Sequence, residues 1–237
     1  MCTVSWRRAG ADFEVFFNRD EQRTRPPARE PRVHADAPIP YVAPIDPVAD
    51  GTWLAANAAG LVVGILNYYD GQRAPPPPNP CSRGRLVLDQ MAQRDAGAVR
   101  AAMQAADLSR YPAFVLLALD RAAGVVLHWD GRALRAEAAG ERHRPLSTSS
   151  VDTDEVLRER RARYAALAGA GEPSAEALLA FHRDTIPRGG AYSVWMERAD
   201  AWTVSFSRVV VGADAVRYAY QSRGAAEPIV VSLPLSS

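Results

Sequence analysis

The chain has 237 residues, 48% of them apolar, and a formal charge of +1, which suits a globular core and gives no reason to expect nucleic acid or an acidic membrane surface as partner. All 28 basic residues are arginine, and the absence of lysine removes Schiff-base chemistry, pyridoxal-phosphate attachment and the P-loop lysine. Cys2 and Cys81 are too few for a disulfide framework or a zinc site of cysteine pairs, so a reducing compartment is expected, with no metal and no cofactor.

The first residues lack the apolar core of a signal peptide, and no stretch reaches the roughly 20 apolar residues of a membrane span, so the expected location is cytoplasmic. "CTVSW" and "FEVFFN" read as an N-terminal hairpin turning at Gly10 to Asp12. From Arg25 to about Asp50 the prolines are dense enough to predict a long loop, of the kind that borders a ligand entrance. "TWLAAN" and "LVVGILN" predict a second hairpin buried on both faces. "RAPPPPNP" breaks the chain and reads as a polyproline spacer, with a role as ligand for another domain as the alternative. One or two helices are predicted from Arg83 to about Ala106, followed by strands at "AFVLLALD", "GVVLHWD" and "RALRAEA". Asp152 with Glu155 predicts a capped helix through about Ala168, in which "RERRAR" reads as a solvated face laced by Asp154–Arg158 and Glu159–Arg163 pairs. A helix from Ser174 to about Arg183 precedes strands at "AYSVWMERA", "WTVSFSRVVV" and "AVRYAYQS". Strand blocks separated by helix blocks argue for an α+β fold of two packed antiparallel sheets with helices outside. The whole chain, 1–237, reads as one domain.

The candidate chemistry sits at the start. A small residue at position 2 favours removal of the initiator methionine, after which Cys2 carries its thiol and a free α-amine of reference pKa about 7.7 to 8.0, a nucleophile with its base in one residue. His34, His128, His143 and His182 form no Cys–His arrangement and read as surface or structural histidines. On a strand, Phe13, Val15, Phe17 and Arg19 share a face, so Arg19 is either a buried guanidinium favouring the thiolate or part of an ordinary charged turn. Asp20 or Glu21 could orient the amine.

"MCT", "NRDE", "GTWLAAN", "GLVVGILN", "SRGRLVLD" and "LSTSSVDT", in this order, resemble the NRDE family, also called the transport and Golgi organisation protein 2 family. The resemblance implies an N-terminal nucleophile hydrolase fold, a four-layer αββα sandwich. Within it the pattern is similar to the bile-salt hydrolase and penicillin V acylase branch. That branch implies Cys2 as nucleophile, Arg19 as its electrostatic partner, Asp20 or Glu21 as holder of the α-amine and Asn67 as an oxyanion donor. Read alone, Asn67 could equally close an Asx turn at a hairpin end. The acylase pattern's second asparagine falls near Thr148, and its arginine before the last strands is displaced, with Ala191 at the expected place and Arg188 a few residues earlier. The implied activity is hydrolysis of a linear amide C–N bond of a small molecule. The alternative is a non-catalytic carrier of haem or an acyl lipid in the same pocket, since the resemblance also implies haem or lipid handling for eukaryotic relatives.

Overall fold

Strand β1 (Cys2–Ala9) turns at Gly10, which holds φ +66°, into β2 (Asp12–Gln22). The period-2 pattern of β2 decides its surroundings: Phe13, Val15 and Phe17 enter a core between two sheets, whereas Phe16 packs on the opposite face with Leu178 and Phe206. The structure is a computed structural model that describes residues 1–69, 71–186 and 188–236.

The first sheet adds β10 (Leu146–Thr148), β11 (Ala201–Val211), β12 (Ala215–Ser222) and β13 (Ile229–Pro234) in the order β10-β1-β2-β11-β12-β13. The second runs in chain order through β3 (Arg29–His34), β4 (Tyr41–Ile45), β5 (Leu54–Asn57), β6 (Val62–Asn67), β7 (Phe114–Leu119), β8 (Gly124–Trp129) and β9 (Leu134–Ala138). All of these strand pairs are antiparallel. Helices α1 (Arg83–Asp89) and α2 (Ala96–Ala105) cover the second sheet, and α3 (Thr153–Ala168) and α4 (Ala175–His182) cover the first. The result is the expected αββα sandwich, with β5 and β6 buried on both faces because one side meets the first sheet and the other meets α1 and α2.

Four expectations are corrected. The segment from Arg25 to Asp50 is not one long loop, for it carries β3 and β4. Its prolines are tolerated because β3 is an edge strand and Pro31 and Pro44 fall within the register shift between Arg29 and Arg32. "AYSVWMERA" is not a strand. Its backbone is satisfied by side chains and isolated contacts instead: Arg160 bonds the carbonyls of Ala191 and Ser193, and Asn18 bonds that of Val194. Asp152 does not cap α3 with its side chain; it sits at φ 41°, and its carboxylate accepts from the Tyr192 hydroxyl at 2.8 Å. Finally, "RERRAR" is not wholly a solvated face. Arg160 has 0% exposure, while Arg158 meets Glu155, Arg163 meets Asp184 and Glu159 meets Arg188, so the two i,i+4 pairs are replaced.

One close approach positions the site. A Cβ on Gly84 would lie 2.9 Å from both the backbone N and O of Thr52, and one on Gly51 would lie 2.7 Å from the carbonyl carbon of Gly84. Only two glycines let the start of α1 press onto the β4–β5 connection, where Thr52 N–H donates to Gly84 O at 3.1 Å.

Candidate active site

A cavity of about 740 Å³ opens where β1 begins, lined by Cys2, Arg19, Asp20, Glu21, Asn67 and Tyr69 among others, and by Arg25 and Asp46 from either end of the Pro-rich segment. Strand register brings its parts together. Cys2 is the direct antiparallel partner of both Arg19 on β2 and Thr148 on β10, so residues distant in sequence meet at one strand end.

Arg19 continues the inward face of Phe13, Val15 and Phe17 and is buried. Its guanidinium lies 4.2 Å from the Trp53 ring centroid and bonds Asp46 at 2.5 Å, with Glu21 at 3.4 Å. Arg25 closes the cluster, 2.7 Å from Asp46 and 3.5 Å from Glu21. Burial pushes the Asp46 carboxyl up, but the bonds from Arg25 and the Val48 N–H and the nearby Arg19 outweigh it and hold it below the ordinary carboxylate range.

Asp20 faces the other way, as the pleat requires, into the layer between β2 and α3. It is 4% exposed; Oδ1 accepts from the Thr203 hydroxyl at 2.7 Å, whereas Oδ2 has no hydrogen-bond donor and lies 3.9 Å from Arg160. Burial raises its pKa against the opposing pull of Arg160 and the N-terminal amine. Arg160 escaped sequence reasoning altogether. It donates to the hydroxyls of Thr3 and Ser147 at 2.7 and 3.0 Å and to the carbonyls of Ala191 and Ser193, both at 2.9 Å. A guanidinium thus stands against Ala191, the position where the acylase pattern puts its own arginine, but delivered from α3. Arg188 instead pairs on the surface with Glu155 and Glu159. The available signal was Arg160 flanked by Val156 and Tyr164 at helical spacing, which marks the covered face of α3.

Asn67 ends β6 with its side-chain amide donating to the Tyr69 hydroxyl at 2.6 Å. This leaves its second N–H for the cavity. The Asx turn is made elsewhere, by Asn57, whose Oδ1 accepts from the N–H groups of Ala59 and Leu61. Thr148 Oγ1 accepts from the backbone N–H of Cys2 at 3.3 Å. Met1 is 8% exposed and fills a slot with Val156, Ala191 and Met196, its sulfur accepting from Ser149 Oγ at 3.0 Å. With Met1 in place, burial pushes the Cys2 thiol up, and this outweighs the lowering by the terminal amine and by Arg19. None of the four histidines lines the cavity; His182 is buried between Ser5 and Asn18. Among the described residues no cluster of three or more metal-ligating side chains occurs, both cysteines are free, and no helix is long and apolar enough to cross a membrane.

Two antiparallel sheets between helical layers, with a cysteine opening the strand beside the cavity, define the N-terminal nucleophile hydrolase fold. Solved structures share it across nearly the whole chain. A cysteine-to-alanine variant of the conjugated bile acid hydrolase from Clostridium perfringens superposes with a TM-score of 0.59 at 12% identity, covering 100% of this chain and 97% of that one. An arginine-to-leucine variant of the same enzyme gives 0.58 at 13%, covering 97% and 92%. The N-acylethanolamine-hydrolyzing acid amidase ortholog from Caenorhabditis elegans gives 0.56 at 11%, covering 88% and 92%. The family model described as Transport and Golgi organisation 2 matches residues 1–215, and the chain belongs to that family. Among curated protein sequences none matches it significantly.

Proposed function

We propose that the protein is an N-terminal cysteine hydrolase that cleaves a linear amide C–N bond of a small molecule once Met1 has been removed. The observation that carries this reading is the register that sets Cys2 opposite Arg19 at the mouth of the cavity, with Asn67 also lining it. The solved structures that share the fold are titled as hydrolases of a conjugated bile acid and of N-acylethanolamines, which supports amide chemistry as the class.

The mechanism uses this chain's own groups. Removing Met1 frees the Cys2 α-amine, and Asp20, whose charge acts on the Cys2 thiol and whose Oδ2 is buried without a donor, then holds the ammonium form. Glu21 is engaged by Arg19 and Arg25, so Asp20 takes this role in preference. Thr148 Oγ1, which accepts from the same nitrogen, fixes its direction. The amine accepts the thiol proton, and the thiolate attacks the substrate carbonyl. The oxyanion is held by the second N–H of Asn67, a preorganised donor worth about 2.7 to 4 kcal/mol. The α-ammonium protonates the departing nitrogen, the C–N bond breaks and a thioester remains on Cys2. Water, deprotonated by the same amine, attacks the thioester and releases the acid and the free thiol. Charged side chains line much of the cavity, including Arg19, Arg25, Arg83 and Asp46, which favours a polar amide over a long acyl chain as occupant.

The test is amine release from a panel of small amides by protein whose intact mass shows loss of Met1. Activity should vanish in Cys2→Ala and in a form carrying an N-terminal extension. Activity that survives either change would refute the reading.

A further inference from the structure

The cavity wall carries both signs of charge, and most of it is internally balanced. Arg19 and Arg25 share Asp46 and Glu21, Arg198 bonds Asp200 at 2.7 Å, and Asp20 faces Arg160. Arg83 is the exception: among the described residues it is the lining arginine with no carboxylate within ion-pair distance. Its one hydrogen bond runs from Nη1 to the carbonyl of Ala113 at 3.0 Å. A guanidinium has five N–H donors, so most of the fork is left for the cavity. The groups whose charge acts on it are Tyr69, Cys2 and Glu21, all on the cavity wall, and Glu21 is already engaged by two other arginines.

Arg83 is also held in place. It opens α1, and the next residue, Gly84, is pressed against Thr52 and Gly51 so closely that neither glycine can carry a side chain without displacing backbone. The carbonyl of Ala113 fixes the other side. A half-buried cation with a fixed backbone, one neutral anchor and free donors toward a cavity is arranged for a planar oxyanion that arrives from outside.

We infer that Arg83 receives a carboxylate of the substrate, so that the amides this protein cleaves carry a carboxylate within a few bonds of the scissile C–N bond. The substrate class rests on the hydrolase reading above; the anion site itself does not. The carboxylate docks on the Arg83 fork while the amide carbonyl is presented between Cys2 and Asn67.

Two measurements separate these parts. The first needs no turnover: Cys2 of the Met1-free protein is alkylated with iodoacetate and with iodoacetamide under limiting reagent, and the two rates are read by peptide mapping, with glutathione as the reference thiol. The iodoacetate-to-iodoacetamide ratio should exceed that of glutathione about tenfold, the size of effect expected of one close, partly desolvated charge pair. Arg83→Gln should return it to the glutathione value, and Arg83→Lys, which keeps the charge, should retain part of it; equal melting midpoints for the three proteins show that the fold is intact. A wild-type ratio equal to that of glutathione, or one untouched by Arg83→Gln, overturns the anion site. The second measurement compares kcat/KM for N-acylglycines, N-acylglycinamides and succinamic acid. Preference for either acid over the neutral amide, lost in Arg83→Gln, supports the substrate class, and the preferred acid tells which half of the amide bears the carboxylate. Preference for the neutral amide overturns it. An alkylation preference without turnover of any amide upholds the anion site and refutes the hydrolase.

Discussion

Arg160→Met is the perturbation that tests the interior of the site most directly, because methionine keeps much of the volume and removes the charge and every donor. Three groups respond. The Thr3 and Ser147 hydroxyls lie 2.5 Å apart and keep each other, so they lose little. The carbonyls of Ala191 and Ser193 lose their side-chain donor, at about 1 to 3 kcal/mol for each buried acceptor left unsatisfied. Asp20 loses the cation 3.9 Å away, and breaking a buried pair from one side costs about 3 to 5 kcal/mol. These terms overlap, so a total near 4 to 5 kcal/mol is expected, a large part of the roughly 5 to 15 kcal/mol that holds a domain together. In urea the unfolding midpoint should fall by about 2 M. Asp20→Asn in the Arg160→Met background should recover about 1 to 2 kcal/mol, since it removes the charge left stranded, and the double-mutant cycle should show coupling of that size. A single variant that loses less than about 1 kcal/mol, or a cycle with no coupling, would refute the account of Arg160 as the counter-charge of Asp20.

Asn67→Ala should lower turnover about 100-fold or more while moving the melting midpoint by only a few degrees, because its side chain bonds the Tyr69 hydroxyl at the cavity rather than the backbone of a turn; equal loss of folding and turnover would make it structural. His182 should make the fold acid-sensitive. Burial, with Arg160 nearby, lowers its pKa from 6.5 to about 3, so between these values the unfolded chain binds a proton that the folded chain does not, and stability falls as pH falls. From pH 7 to 5 the loss is about 2 kcal/mol. His34, lowered by burial and Arg32, acts in the same direction, so the readout is the part of the slope that His182→Gln removes; an unchanged slope would mean that His182 is not held neutral.

What the sequence disclosed follows the distance over which each signal acts. The hairpin of β1 and β2, the inward face ending at Arg19 and the opposite orientation of Asp20 come from a period of two residues, and the structure keeps all of them. The long loop failed because proline density is a local signal, whereas the permission to pair came from the sheet edge and a register shift supplied by residues elsewhere. Thr148 entered through motif order alone. That it lies in a strand beside Cys2 depends on three residues of β10, too few to announce themselves. Arg160 was hidden for the opposite reason: in a helix rich in charge, one surface reading covers Arg158, Arg160 and Arg163 alike, and only the packing of α3 over β1 and β10 separates the fully buried Arg160 from its neighbours.

These longer-range contacts also bear on the part Met1 plays in the proposed reaction. While it remains, three features of the structure would oppose the proposed reaction together. The nitrogen of Cys2 is an amide and has no basicity, the thiol is pushed up by burial, and the Met1 side chain fills the slot of Val156, Ala191 and Met196. Its removal, which the proposed reaction requires, would act on all three. An amine would stand where Thr148 Oγ1 already accepts from the Cys2 nitrogen, and the slot of Val156, Ala191 and Met196 would be vacated beside the cavity. In the proposed reaction the buried Asp20 Oδ2 without a donor, a cost to the Met1-bearing form, would be compensated by the α-ammonium of the processed chain, the pattern expected when a stability cost is retained for a site completed by processing.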